Sequence, residues 1–93
     1  ESDSRTNQSL NVRGQVVFAL EKAEDIKSVR LVCENQWEER TGVRNGRARF
    51  ENVPSVECQV GWIGKRKGWF KIPAEWVLVQ CIFETNSVDC QPL

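Results

Sequence analysis

The four cysteines are the residues whose spacing says most about the chemistry of this chain. They are separated by 24, 22 and 8 residues, so the chain has no C-x-x-C pair, and it has no histidine. Structural zinc sites usually include closely spaced ligands, whereas several cysteines in a small chain with a thin core are typical of secreted, disulfide-stabilised proteins. We therefore expect two disulfides, no metal site and no cofactor. The cysteines are Cys33, Cys58, Cys81 and Cys90.

Sequence alone does not distinguish the three pairings that four cysteines allow. Three of the sulfurs fall on the inward-facing parity of predicted strands, near one core layer. We favour a Cys33–Cys58 bond between neighbouring core strands and a Cys81–Cys90 bond that closes the terminal hairpin, with Cys58–Cys81 as the alternative. Disulfides persist in oxidising compartments, so the predicted location is extracellular, cell-surface or periplasmic.

The chain offers little for acid–base or nucleophilic catalysis. It has neither histidine nor tyrosine, which excludes Ser–His and Cys–His nucleophilic pairs. The adjacent acids in Glu24-Asp25 and Glu38-Glu39 would point to opposite faces of a strand rather than face each other across a cleft. The glycines of Gly64–Gly68 lack the spacing of a phosphate-binding loop. We predict a protein that is not an enzyme and has no catalytic residues.

Tryptophans and basic residues form the predicted binding site. Trp62 and Trp69 flank a basic turn that consists of Lys65, Arg66 and Lys67. Tryptophan can stack on sugar rings or anchor a protein interface, and basic side chains bind acidic groups. The alternative interpretation is that the tryptophans belong to the core and that the turn is a solvated hairpin tip or protects a strand edge from aggregation. Both interpretations stay open at this point.

Charge is balanced overall but uneven along the chain. Thirteen basic and 13 acidic residues give no net charge, yet eight basic residues and only two acidic ones lie between Arg40 and Lys71. Nucleic-acid-binding domains usually have a clear basic excess, so we expect no nucleic-acid partner. No stretch approaches the about 20 apolar residues that a membrane-spanning helix requires, so we expect no transmembrane segment.

Short β-strands are the elements that would position these residues. Apolar residues alternate with polar ones in several segments, and Gly, Pro and Asn separate the segments. This pattern predicts an all-β fold, a small six- to seven-stranded, two-sheet antiparallel sandwich. The predicted strands are Val12–Leu20, Ser28–Glu38, Arg44–Phe50, Val56–Ile63, Trp69–Ile72 and Glu75–Phe83.

Turn signals separate these strands. Asn45-Gly46 accepts the positive φ angles of a type I′ turn and predicts a tight hairpin. Pro54 lacks an N–H group and should end the strand that follows that turn. We expect Glu21–Lys27 to be a loop with at most one helical turn, Glu39–Val43 to be a bend, and Thr85–Val88 to be a polar turn.

The chain is expected to form one domain. A domain of this size buries only about 60 to 65 per cent of its unfolded surface, which is why covalent stabilisation is expected. Residues 1–10 are polar and lack the apolar run of a signal peptide, so we predict a flexible lead-in. We also expect that a signal has been removed or that the sequence is one domain of a longer protein. Residues 11–93 form the predicted disulfide-stabilised β-sandwich.

Three segments resemble motifs of a known group of β-sandwiches. They are Val12–Val16, Val29–Val32 and Gly46–Pro54, the last of which matches a Gly-x-x-x-Phe-x-x-Val-Pro pattern. The chain resembles, over about residues 12 to 84, the prealbumin-like and carboxypeptidase-regulatory-like domains, which include PEGA-type modules. The resemblance implies an immunoglobulin-like β-sandwich. The chain departs from that pattern at Ser55, where glycine is usual, and at Cys58, where an aromatic residue is usual. The resemblance implies an accessory, adhesive or spacer domain of an extracellular protein.

These observations predict a noncatalytic extracellular module that interacts with another protein or has a structural role. It would belong to a larger secreted, surface or periplasmic assembly and contact its partner through a sheet face or edge. One alternative is a carbohydrate-binding module that uses the tryptophans and the basic turn. Another is a small secreted effector or inhibitor that binds a target protein. The sequence does not indicate the oligomeric state.

Overall fold

The computed structural model describes residues 12–64 and 68–93, which form eight β-strands and their connections. The predicted lead-in, residues 1–10, lies outside the described residues. The strands form two four-stranded sheets, with order β4-β1-β7-β8 in sheet A and β3-β2-β5-β6 in sheet B. The predicted all-β, two-sheet sandwich is confirmed, with eight strands instead of six or seven. They are β1 (Val12–Glu21), β2 (Ile26–Cys33), β3 (Glu38–Gly42), β4 (Arg47–Pro54), β5 (Cys58–Gly64), β6 (Trp69–Ile72), β7 (Leu78–Phe83) and β8 (Val88–Pro92).

The first strand organises sheet A. It pairs antiparallel with β4 on one side and parallel with β7 on the other, whereas the remaining strand pairs are antiparallel. Neighbouring parallel strands need a long connection, and here β2 to β6 lie between β1 and β7 in the chain. Sheet A is therefore mixed, which differs from the purely antiparallel sandwich that the alternating pattern suggests.

Apolar side chains on the inward faces of both sheets form one core. Phe18 and Phe50, on neighbouring strands, meet edge to face with ring centroids 5.8 Å apart. Within the described residues no polar or charged residue is buried. The period-2 patterns thus identify the inward faces correctly. The buried residues are Val16, Phe18, Leu20, Ile26, Val29, Leu31, Cys33, Ala48, Phe50, Val53, Cys58, Val60, Trp62, Ile72, Val79, Cys81, Phe83 and Cys90.

The predicted strand boundaries between residues 28 and 43 are wrong. Ser28–Glu38 is not one strand, because β2 ends at Cys33 and β3 begins at Glu38, and the predicted bend Glu39–Val43 lies mostly in β3. The turn between β2 and β3 contains Gln36 at a φ of 71°, and its N–H donates to the carbonyl of Cys33 at 2.9 Å. Hairpin loops of this kind usually have glycine at the left-handed position, so the sequence lacks the usual signal.

The Asn45-Gly46 turn connects the two sheets. Both residues have positive φ, 55° and 73°, and Arg44 and Arg47 exchange main-chain hydrogen bonds of 2.8 and 3.0 Å around them. The predicted tight turn is confirmed. Its hairpin consists of the single Arg44–Arg47 bridge, however, because β3 before the turn belongs to sheet B and β4 after it belongs to sheet A.

Both favoured disulfide pairings are confirmed. Cys33–Cys58 joins directly paired residues of β2 and β5, with Cα atoms 3.9 Å apart. Cys81–Cys90 joins directly paired residues of β7 and β8, with Cα atoms 4.0 Å apart. Each bond therefore links two strands of the same sheet and neither connects the two sheets. Two disulfides indicate an oxidising, non-cytoplasmic environment.

Removing the disulfides one at a time should give a defined order of stability loss. Cys33→Ala with Cys58→Ala opens a loop of 25 residues and should lower the free energy of unfolding by about 3.5 kcal/mol, since a longer loop gains more entropy when it is released. Cys81→Ala with Cys90→Ala opens a loop of 9 residues and should cost about 2.6 kcal/mol. Urea unfolding of both variants measures the difference, and a reversed order would contradict it.

Candidate functional site

The structure separates the two tryptophans of the predicted binding cluster. Residues 65–67, the basic turn, lie outside the described residues. Trp62 is only 6% exposed and packs against Phe83 of the opposite sheet, with ring centroids 4.9 Å apart. Its assignment as a binding residue is therefore wrong, because it shares the inward parity of Cys58 and Val60 on β5. Trp69 is 52% exposed and remains a candidate.

Trp69 lies against a glycine on the outer face of sheet B. It is the cross-strand partner of Gly61, and a Cβ added to Gly61 would lie 2.8 Å from the indole ring. An aromatic side chain opposite a strand glycine covers main chain that no side chain would otherwise cover. The contact thus has a structural role at Gly61 and still leaves about half of the tryptophan exposed.

Arginines follow Trp69 across the same face of sheet B. The strand registers place Gly61 opposite Arg30, and Arg30 opposite Arg40. Arg30 also forms an ion pair with Glu38, and both side chains are about half exposed. Exposed ion pairs contribute little to stability, about 0 to 1 kcal/mol. This face therefore combines one half-exposed aromatic ring with exposed basic groups.

Three exposed arginines lie together at the passage from sheet B to sheet A. They line a groove, hereafter the arginine groove, in which no acidic residue takes part among the described residues. Within residues 12–64 and 68–93, none of the three forms an ion pair. Their positive charge is thus available to an anionic partner. The groove is lined by Thr41, Gly42, Val43, Arg44, Asn45, Arg47 and Arg49.

Strand alternation explains why these arginines are exposed. On β4, Ala48 and Phe50 point into the core and are 1% exposed, so Arg47 and Arg49 between them point outward. Arg44 is brought beside Arg47 by the two-residue turn. Sequence reasoning noted the basic bias of this region but missed the site, because the groove depends on the passage between sheets.

The main chain of β4 is open next to the groove. β4 is an edge strand of sheet A, and the main-chain groups of Arg47 bond to Arg44 on the side away from β1. Alternate residues of a strand direct their N–H and C=O groups to the same side, so those of Arg49 also point away from β1. The N–H of Glu51 does so as well, because it lies opposite the C=O of Phe50 in a trans peptide bond and Phe50 pairs with β1. The regular run ends at Asn52, whose φ is 59°. Hydrogen-bonding groups of two residues are therefore exposed along this edge.

Arg13 is a charged residue whose role the sequence did not predict. Its burial lowers its pKa through desolvation, an effect that the negative charge of Glu75 partly offsets. The guanidinium ties β1 to the connections before β5 and before β7, so it serves stability rather than ligand binding. No simple signal marks it, because a register shift at Gly14 interrupts the alternation there. It donates to the main-chain oxygens of Pro54, Val56, Pro73 and Trp76.

Arg13→Lys should destabilise the fold although it keeps the charge. An ammonium group cannot reach the same set of oxygens as the planar guanidinium, so we expect a loss of about 2 kcal/mol in the free energy of unfolding. Arg30→Lys, on the exposed face of sheet B, is the matched control and should change it by less than about 0.5 kcal/mol. Urea unfolding at neutral pH measures both, and equal effects would contradict this role of Arg13.

Comparisons with known proteins do not place the chain in a family. No family model matches it, and neither a curated protein nor a solved structure does so. In the described part of the chain, no helix is long and apolar enough to cross a membrane. No group of three or more potential metal ligands occurs among the same residues.

Proposed function

We propose that this chain is a noncatalytic protein-interaction module of a secreted, surface or periplasmic assembly, and that the arginine groove binds acidic segments of its partner. The observation that carries the proposal is the grouping of Arg44, Arg47 and Arg49 without an acidic partner among the described residues. Arginine is enriched at protein interfaces, and its guanidinium matches the geometry of a carboxylate.

The arginine groove differs from the other basic positions of the surface. In a chain with no net charge, several exposed basic residues have acidic neighbours that offset their charge. Three arginines in one groove that form no ion pair among the described residues concentrate positive potential, which attracts and orients an acidic partner. The offset pairs are Lys22–Glu84, Arg30–Glu38 and Lys71–Glu57.

The extracellular part of the proposal rests on the two disulfides and on the family resemblance. Disulfides are rare in reducing compartments. The resembling segments lie on β1, β2 and the turn and strand that end at Pro54, where the prealbumin-like pattern expects strands and a turn. The resemblance supports an accessory or adhesive role by analogy. The effector or inhibitor alternative stays a prediction from the sequence.

Neutralising the groove should weaken binding to an acidic segment. The probe is a fluorescein-labelled peptide that alternates Glu and Thr, and anisotropy reports its binding. Arg44→Gln, Arg47→Gln and Arg49→Gln together should raise the Kd at least about tenfold, which corresponds to about 1.4 kcal/mol. Added salt should weaken wild-type binding more than binding by this variant, because fewer charges take part.

The matched control removes the same number of positive charges elsewhere. Lys22→Gln, Arg30→Gln and Lys71→Gln together change the net charge equally but leave the groove intact, so the Kd should stay within about twofold of wild type. A wild-type protein that does not bind the peptide, or two triple variants that lose affinity equally, would contradict the proposed function.

Glycan binding is a second candidate function, and the exposure of Trp69 favours it. A half-exposed indole on a flat sheet face can stack on a sugar ring, and the basic groups across that face suit an anionic sugar. Millimolar neutral or anionic oligosaccharides should shift the tryptophan emission of the wild type. The shift should be absent in Trp69→Leu. An unchanged wild-type spectrum with every sugar would remove this candidate.

A further inference from the structure

We propose that the acidic partner binds as an added β-strand, pairing with the open edge of β4 to become the fifth strand of sheet A. This inference rests on the proposed function, in which the arginine groove binds acidic protein segments, and it specifies the form of the bound segment. Strand addition to an exposed sheet edge is a general mode of peptide recognition.

The main chain of β4 offers the required hydrogen bonds. The N–H and C=O groups of Arg49 and the N–H group of Glu51 point away from β1, as follows from the bonding of Arg47 to Arg44 and from the pairing of Phe50 with β1. An extended segment that exchanges hydrogen bonds with these two residues would continue the ladder that the Arg44–Arg47 bridge begins. The groove beside the arginines leaves space for that segment.

The side chains of β4 define the chemistry of the segment. Residues directly opposite each other on paired strands have Cβ atoms about 4.5 to 5.5 Å apart, so a Glu opposite Arg49 would reach the guanidinium. The next residue on the same face of the segment lies opposite Glu51, so Gln there should bind more tightly than the Glu of the alternating Glu–Thr peptide, because like charges repel. Positions between these two face inward beside Phe50, which is 1% exposed, and should be small or apolar.

Three other strands lie at sheet edges, and each suits an acidic segment less well. β6 spans only four residues, and its one charged residue, Lys71, already has Glu57 as an acidic neighbour. β3 carries Glu38 and Glu39 next to Arg40, and β8 carries Asp89, so an acidic strand would be repelled there. β8 also ends at Pro92, which has no N–H group to donate. The exposed edge of β4 is short, because Arg49 and Glu51 are the two residues of this strand that offer main-chain groups before Asn52 interrupts it. A short edge limits pairing with unrelated strands and thus aggregation.

Amide hydrogen exchange followed by NMR tests the inference on the intact wild-type chain. With the Glu–Thr peptide bound, exchange of the Arg49 and Glu51 amides should slow at least about tenfold. The amide of Arg47 should not change, since it already donates to Arg44, and neither should that of Phe50, which faces β1. Protection at every second residue is the signature of a new ladder.

Two N-methylated peptides provide a control that leaves the protein unaltered. N-methylation removes a main-chain donor, and alternate residues of an extended peptide face β4 or face solvent. The peptide that is N-methylated at the residues facing β4 should show no detectable binding. The peptide that is N-methylated at the residues facing solvent should keep its Kd within about twofold of the value for the unmethylated peptide. Unmethylated peptide gives the reference value.

The outcomes separate this inference from the proposed function. The peptide could bind in an arginine-dependent way while amide exchange at Arg49 and Glu51 stays unchanged and both N-methylated peptides bind equally well. That result would overturn strand addition and leave the proposed function in place. A wild-type protein that binds no acidic peptide would overturn both. A sulfated oligosaccharide that binds the groove when the peptide does not would overturn the inference and indicate a polysaccharide ligand instead.

Discussion

Burial of one apolar face of each sheet against the other is the constraint on which the rest of this structure depends. Both disulfides lie within single sheets, so they restrict the unfolded chain without joining the two layers. The layers are held together by the apolar core, by the four passages of the chain between sheets, and by Arg13, which binds two of the connections. Apolar burial contributes about 25 cal/mol per Å², and none of the described residues that are buried is polar or charged. A substitution that weakens the core should therefore separate the sheets even with both disulfides intact.

The same constraint leaves the binding chemistry to the outer faces and edges. Trp62, for which the sequence left a binding role and a core role open, fills the space against Phe83. The arginines of β4 point outward because their neighbours on the strand are needed in the core. The passage at Asn45-Gly46 then brings Arg44 to the same place. The arginine groove is thus a consequence of how one strand meets the next sheet, and the exposed edge of β4 lies beside it.

Much of the fold could be predicted because it depends on local patterns. Alternation placed Cys33, Cys58 and Cys81 on inward faces, but the choice between Cys33–Cys58 and Cys58–Cys81 depended on which strands are neighbours. Asn45-Gly46 predicted its turn through the φ angles that these residues accept. The boundary at Gln36 was missed because a left-handed residue other than glycine, asparagine or aspartate has little sequence signal. Arg13 was missed because the register shift at Gly14 arises from pairing with β4, which the pattern of β1 by itself does not contain.

The sequence by itself determined the all-β class, the inward face of most strands and the tight turn, because neighbouring residues along the chain are sufficient to define period and turn geometry. Only the tertiary structure decided that β1 pairs in parallel with β7, that the Asn45-Gly46 turn joins two sheets, and that the edge of β4 stays open beside three arginines. These features depend on which distant strands become neighbours, and that choice is made by the packing of two apolar faces over the whole domain.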